Sequence, residues 1–186
     1  MRSEILFALA LIPSVSNAQA FRNGSFTEGA YEKGKGFIEL VAGSTAITGW
    51  TVVSGNIDWV NDDWKASDGK RSMDLSGTVR GAVSQTFSTQ KGRKYRVLFD
   101  LAGNPLGIPD VKRLRVTVTG AKAQMYSFSI KGHYNSKMGW VAESYMFLAS
   151  SAKSTLKFAS LTDGSYGPCI CHVRVAEIVP PKSRRR

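Results

Sequence analysis

The sequence predicts an all-β sandwich, and three observations carry that prediction. Apolar and polar residues alternate with period two along several segments, as in strands that bury one face. Glycine-rich polar turns separate these segments at short intervals, the spacing of a sandwich or barrel. No stretch of useful length carries the apolar stripe of an amphipathic helix.

The elements follow in chain order. Arg2 precedes an apolar run from Ile5 to Val15, which ends in "SNAQA". Ala18 and Ala20 are the small residues of a cleavage site, so residues 1–20 read as a signal peptide. Glu4 offsets Arg2, and a buried N-terminal helix is the alternative. No other stretch is long and apolar enough for a membrane span. Residues 21–179 fit one domain, long enough to bury its own core. Within it, "YRVLFDL" sets Tyr95, Val97, Phe99 and Leu101 on one face. "LRVTVT" does the same with Leu114, Val116 and Val118, "YSFSI" with Tyr126, Phe128 and Ile130, and "STLKF" with Leu156 and Phe158. "CICHVRV" puts Cys169, Cys171, Val173 and Val175 on one parity. Turns fall at Ser67 to Lys70, Gln90 to Lys94, Ala102 to Pro109 and Thr162 to Pro168. The expected core is Trp50, Phe87, Val97, Phe99, Val116, Leu156, Phe158 and Val173. Residues 180–186, "PPKSRRR", read as a basic disordered tail.

Net charge is +11, and without the four cations of the tail it is still +7. A basic exported chain favours anionic partners such as acidic polysaccharide, with nucleic acid a weaker expectation. Two cysteines are too few for a disulfide framework. "GSYGPCICHVRV" raises three readings for them: a metal site, a redox pair, or thiols carried on a strand. Adjacent residues of a strand face opposite ways, so Cys171 and His172 do not converge on a zinc ion. Cys169 and Cys171 share a face, but a flat strand holds their sulfurs apart. Two buried hydrophobes is the simplest account.

No nucleophile elbow, His-Glu-x-x-His or Walker loop is present. Asp58, Asp62, Asp63, Asp68 and Asp74 mostly lie among turn residues, where aspartate is common. A hydrolase built on two such carboxylates is the weakest of three readings. The positive signal is aromatic. "DWVNDDW" sets Trp59 and Trp64 among Asp58, Asn61, Asp62 and Asp63, and "HYNSKMGW" adds His133, Tyr134, Asn135 and Trp140. Aromatic faces stack on sugar rings while amides and carboxylates bind hydroxyls. Each tryptophan taken singly is also a good core residue, Trp50 above all.

"NGSF", "AGSTAITGWTVVSGNIDWV", "DGKRSMDLSGTVRGAVSQTFST", "LAGNP", "MGW" and "SLTDGSYGP" occur in this order between Asn23 and Val175. In this the chain resembles the plant cell-wall family called domain of unknown function six-four-two and its bacterial choice-of-anchor C relatives. The resemblance implies a galactose-binding-like jelly roll with a non-enzymatic, carbohydrate- or wall-associated role. It also implies a structural calcium held by an early glutamate and a late aspartate. Here Thr27 interrupts "NGSFE", and Cys171 stands at the late acidic position beside His172. A thiol is a poor calcium ligand, so a site around Asn23 and Glu28 is expected to be weakened or lost. Bacterial relatives often continue into a sorting signal with an apolar anchor. Here "VPPKSRRR" has no preceding span, so a released or charge-held protein is expected.

The expectation is thus an exported, secreted or wall-associated, non-catalytic carbohydrate-binding protein. Its partner is a polysaccharide, with an acidic one favoured by charge. The candidate contacts are Trp59, Trp64, Asn104, His133 and Trp140. The alternative is a structural or adhesive protein that binds another wall protein.

Overall fold

The computed structural model describes residues 20–179. The proposed signal peptide, apart from Ala20, and the basic tail fall outside them. Eleven strands and no helix occur among the described residues: β1 (Phe37–Val41), β2 (Thr51–Ser54), β3 (Asn56–Val60), β4 (Ser72–Asp74), β5 (Ala82–Ser88), β6 (Lys94–Gly103), β7 (Val111–Val118), β8 (Gln124–Ser129), β9 (Val141–Leu148), β10 (Lys153–Ser160) and β11 (Pro168–Glu177). They form two antiparallel sheets in the order β1-β3-β4-β11-β6-β9 and β2-β5-β10-β7-β8. This is the jelly-roll sandwich that the alternation and the resemblance call for.

The two inner faces meet in one core. Val97, Phe99 and Leu101 of β6 face Leu114 and Val116 of β7 and Leu156 and Phe158 of β10, all at most 1% exposed. Phe99 sits at the centre, edge-on to Tyr126 at 5.2 Å and to Phe158 at 5.1 Å, a favoured aromatic arrangement. All eight expected core residues are buried.

The phase of β11 differs from the expected one. Ile170 pairs with Met73 and Leu101, both core residues, so Cys169 and Cys171 lie on the opposite parity beside Asp74 and Asp100. A bulge between Cys171 and Arg174 then shifts the register, with His172 at φ +52°. One inserted residue flips everything after it to the other face. Val173 therefore joins the core, and Val175 pairs with Val97. Cysteines and valines occupy opposite faces of the strand, which no periodic reading of "CICHVRV" provides.

The N-terminal arm is clasped from inside the sandwich. Gln85, 2% exposed at an inward position of β5, accepts from the Arg22 amide at 2.8 Å and donates to its carbonyl at 2.9 Å. The Trp50 indole donates to the Asn23 carbonyl at 3.1 Å and the Trp59 indole to that of Phe26 at 2.9 Å. Val173 donates to the Gly24 carbonyl at 2.9 Å.

A row of acids crosses the other sheet. Glu39, Asp58 and Asp74 are direct cross-strand partners on β1, β3 and β4, close enough for like charges to repel. Burial pushes the Asp58 carboxyl up to about 7, with Glu39 and Asp63 adding to it. Burial likewise pushes Asp74 up to about 7, against hydrogen bonds from Asn104, Ser76 and Gly167.

Two outcomes follow. Phe99→Ala should cost about 3–5 kcal/mol in urea unfolding, since it empties the centre of the core; an unchanged midpoint would contradict this packing. Asp58 and Asp74 bind protons more tightly folded than unfolded, where aspartate titrates near 3.9. Their contribution is complete below that value and is lost as pH rises through about 7. The unfolding midpoint should therefore fall between about pH 4.5 and about pH 8, and Asp58→Asn should flatten the fall. The same slope in parent and variant would assign it to other groups.

Candidate functional site

A cleft of about 400 Å3 opens above β1 and β3, where the connections after β4, β6 and β10 meet. Its lining includes Phe37 and Glu39 of β1, Asp58 and Val60 of β3, and Trp64, Asn104 and Tyr166 from the loops. Phe37 alternates out of the core and is 46% exposed; Tyr166 is 37% exposed. Tyr166 stands in "GSYGP", where its ring lies directly on the backbone of Gly107, on ground that any Cβ there would occupy. Lys112, wholly buried, fixes this contact from below by donating to the Gly107 carbonyl at 2.5 Å.

Asp74 ties the three loops together. Its Oδ1 accepts from the Ser76 amide at 2.9 Å and the Gly167 amide at 3.0 Å, and its Oδ2 from Asn104 Nδ2 at 2.8 Å. Gly167 has to be glycine for this approach, because a Cβ would press on Asp74 Oδ1 and Ser76 Oγ. Asn104 in turn accepts from the Leu106 amide at 3.1 Å. The cleft is electronegative: Asp58 and Glu39 lie across from one another, and Asp63 is pushed up by burial and by Asp62. Hydroxyl groups suit such a lining, because an ionised carboxylate accepts their hydrogen bonds and Asp58, raised to about 7, also donates when protonated.

Two of the five expected contact residues line this cleft. Trp64 is 5% exposed, with its indole donating to Ser72 Oγ at 2.9 Å, and adds little open surface to the cleft. Asn104 presents a carboxamide whose polar atoms already serve Asp74 and Leu106. Trp59 is 0% exposed and packs edge-on against Tyr31 at 4.9 Å, so it offers no face to a ligand. His133 and Trp140 lie apart, in the β8–β9 connection. The His133 ring rests on Phe128, with Nδ1 3.3 Å from the Lys137 carbonyl, and the Trp140 indole donates to the Lys65 carbonyl at 3.0 Å. Phe37, Glu39, Asp58 and Tyr166 were not among the expected contacts. Tyr166 carried a signal, being a large aromatic between two glycines inside a turn.

The cysteines are both free and buried. Cys171 Sγ lies 3.2 Å from Ser67 Oγ, which donates to Asp100 Oδ2. His172 Nδ1 is 3.3 Å from the same Asp100 oxygen. Serine and histidine share one carboxylate, so this is no nucleophile–base pair. Burial, with Asp100 adding, pushes the Cys171 thiol up to about 12 and also raises Cys169. Neither is poised as a thiolate.

The residues around Asn23 do not fit a calcium ion. Asn23 Nδ2 donates to the carbonyls of Glu28 at 2.9 Å and Thr48 at 2.8 Å, while its Oδ1 accepts from the Glu28 amide at 3.1 Å. That amide fixes the side chain's orientation, so N–H groups fill the space between the two carbonyls. The Glu28 side chain is exposed, and no group of three or more His, Cys, Asp or Glu converges for a metal among the described residues.

Comparison with known proteins places this geometry in context. The chain is 30% identical over 184 residues to Halomucin of Haloquadratum walsbyi, covering 95% of this chain and 2% of that protein. It thus spans a small fraction of the curated relative it matches. Among solved structures, a family GH115 4-O-methyl-α-glucuronidase with specificity for decorated arabinogalactans superposes with a TM-score of 0.50 and 15% identity, over 96% of this chain and 20% of that one. A family 61 carbohydrate-binding module in complex with β-1,4-galactotriose gives 0.49 and 16%, over 86% of this chain and 99% of that one. A family 35 module from Clostridium thermocellum gives 0.49 and 12%, over 76% and 99%. At these identities the likeness concerns the fold. No helix among the described residues is long and apolar enough to cross a membrane. The family described as protein of unknown function (DUF642) matches residues 19–176, nearly the whole chain, and the protein belongs to that family.

Proposed function

We propose that this is an exported, non-catalytic carbohydrate-binding protein whose cleft takes part of a polysaccharide chain. One observation carries the reading: two exposed aromatic rings, Phe37 and Tyr166, flank a lining of carboxylates at Glu39 and Asp58. Rings bind the apolar faces of sugars, and carboxylates accept from their hydroxyls. The fold and the carbohydrate-binding modules among the structural neighbours support the reading. The acidic lining repels uronate and sulfate, so the cleft itself favours neutral sugars. Export rests on the N-terminal sequence, and a place in a cell wall or extracellular matrix rests on the resemblance.

The test is retention on insoluble neutral polysaccharides: cellulose, xylan and galactan. At least one should retain the protein, and Phe37→Ala and Tyr166→Ala should each weaken retention by up to about tenfold, the loss of roughly one stacked ring. His133→Ala should leave it unchanged. Retention by none of them, or equal retention of both cleft variants, would favour the alternative of an adhesive protein that binds another wall protein. Release of reducing ends would overturn the non-catalytic reading, with Asp58 and Glu39 the carboxylates to suspect.

A further inference from the structure

The basic charge of this protein is not spread evenly. The five strands β2, β5, β7, β8 and β10 contain no aspartate or glutamate. Their cations are Lys112, turned inward, and Arg113, Arg115, Lys153 and Lys157, turned outward on the adjacent strands β7 and β10. Arg113, Arg115 and Lys153 are exposed, and Lys157 is half-buried. Arg113 and Arg115 stand about 7 Å apart along their strand and Lys153 and Lys157 about 13 Å apart along theirs, with the strands about 4.8 Å apart. None of the four forms an ion pair among the described residues. The acids of the flanking loops already have partners, Asp163 with Arg80 at 2.5 Å and Asp110 with Lys131 at 3.7 Å.

Between the cations the face carries hydroxyls. Thr86 and Thr155 are cross-strand partners with their oxygens 2.8 Å apart, and the Thr155 amide donates to Thr119 Oγ1 at 3.3 Å. Lys157 stands in register between Ser84 and Thr117. No aromatic side chain points outward from these strands.

We propose that the outer face of the five-stranded sheet is a second binding surface, separate from the cleft, that holds the anionic groups of an acidic polysaccharide. Four unpaired cations on a rigid sheet supply the attraction. The hydroxyls between them bond the sugar hydroxyls of a chain lying flat. The face has no ring on which to stack an unpaired base, the usual anchor for single-stranded nucleic acid. Val53, Val111 and Met125 are the large exposed apolar side chains of these strands, too little to enter a lipid surface. The face therefore reads charge and hydroxyls rather than the stacked face of one particular sugar.

The experiment measures retention of the full chain on immobilised polygalacturonate and on its carboxyl-reduced form. Four proteins are compared with the parent: Arg113→Ser/Arg115→Thr/Lys153→Thr/Lys157→Thr; Arg115→Glu alone; Phe37→Ala/Tyr166→Ala; and a tail variant with Lys182, Arg184, Arg185 and Arg186 changed to Gln. The parent should bind the acidic polymer more tightly than the reduced one, and the acidic-polymer binding alone should weaken at least about tenfold between about 0.1 M and about 1 M salt, as the screening length drops below the spacing of the cations. The quadruple variant should lose this binding and Arg115→Glu most of it, both melting like the parent, while the cleft and tail variants retain it. Equal retention of the quadruple variant and Arg115→Glu, or loss confined to the tail variant, would overturn the proposal. So would tighter retention on duplex DNA than on polygalacturonate at about 0.15 M salt, which would make the face a nucleic-acid surface. The neutral-polysaccharide result for the cleft variant is read separately, so failure of the cleft reading leaves this one standing.

Discussion

A single buried carboxylate sets the position of everything around the cleft. Asp74 ends the short strand β4 with no exposed surface, and its two oxygens receive donors from the connections after β4, β6 and β10. A buried ionisable group without partners is costly. Three donors aimed at one carboxyl offset that cost only while all three loops stay in place. The loops also bond to one another near the same point, where Asn104 donates to the Gly167 carbonyl at 2.9 Å and Leu75 to that of Pro168 at 3.0 Å. Tyr166 and Leu106, the exposed tips of these loops, are thus one or two residues from a fixed anchor. A site held in this way is organised before ligand arrives, which lowers the ordering cost of binding.

The sandwich was legible because its physics is local. Alternation in β6, β7, β8 and β10 follows from having one apolar face each, and those faces meet as the sequence implies. β11 is where local reasoning stops. Its bulge at His172 is stabilised by partners distant in the chain, Gly24 through Val173 and Asp100 through His172 itself. Nothing within "CICHVRV" distinguishes a straight strand from one that changes phase midway.

The tryptophans show the same limit at the site. Trp59 stands among acids and an amide, the company a sugar-binding ring keeps, and only the pairing of β3 with β1 and β4 turns it inward. Its indole N–H then needs an acceptor, and the N-terminal arm supplies one. The rings left exposed at the cleft are smaller, Phe37 on the sheet-edge strand β1 and Tyr166 on a turn. Both depend on which neighbour is missing, and that is a tertiary fact. Asp58 belongs with them, since it reads as a turn residue yet stands in the middle of a strand opposite Glu39.

Charge divides in the same way between what composition reveals and what topology decides. A net charge of +11 points to an anionic partner, yet the cleft flanked by Phe37 and Tyr166 is lined by carboxylates. The two facts are compatible because the sheets differ. Glu39, Asp58, Asp74, Asp100, Glu143 and Glu177 all lie on strands of the six-stranded sheet, and the five-stranded sheet has no acid at all. The core lies between the sheets, so neither population neutralises the other by contact. The cations of the six-stranded sheet, Lys94, Arg96 and Arg174, lie on β6 and β11. With a screening length of about 10 Å at 0.1 M salt, its β1-β3-β4 end and the outer face of the other sheet therefore each present mainly their own sign to a ligand. A polymer bearing both neutral and acidic sugars could then engage both faces, with rings and hydroxyls read on one and charge on the other.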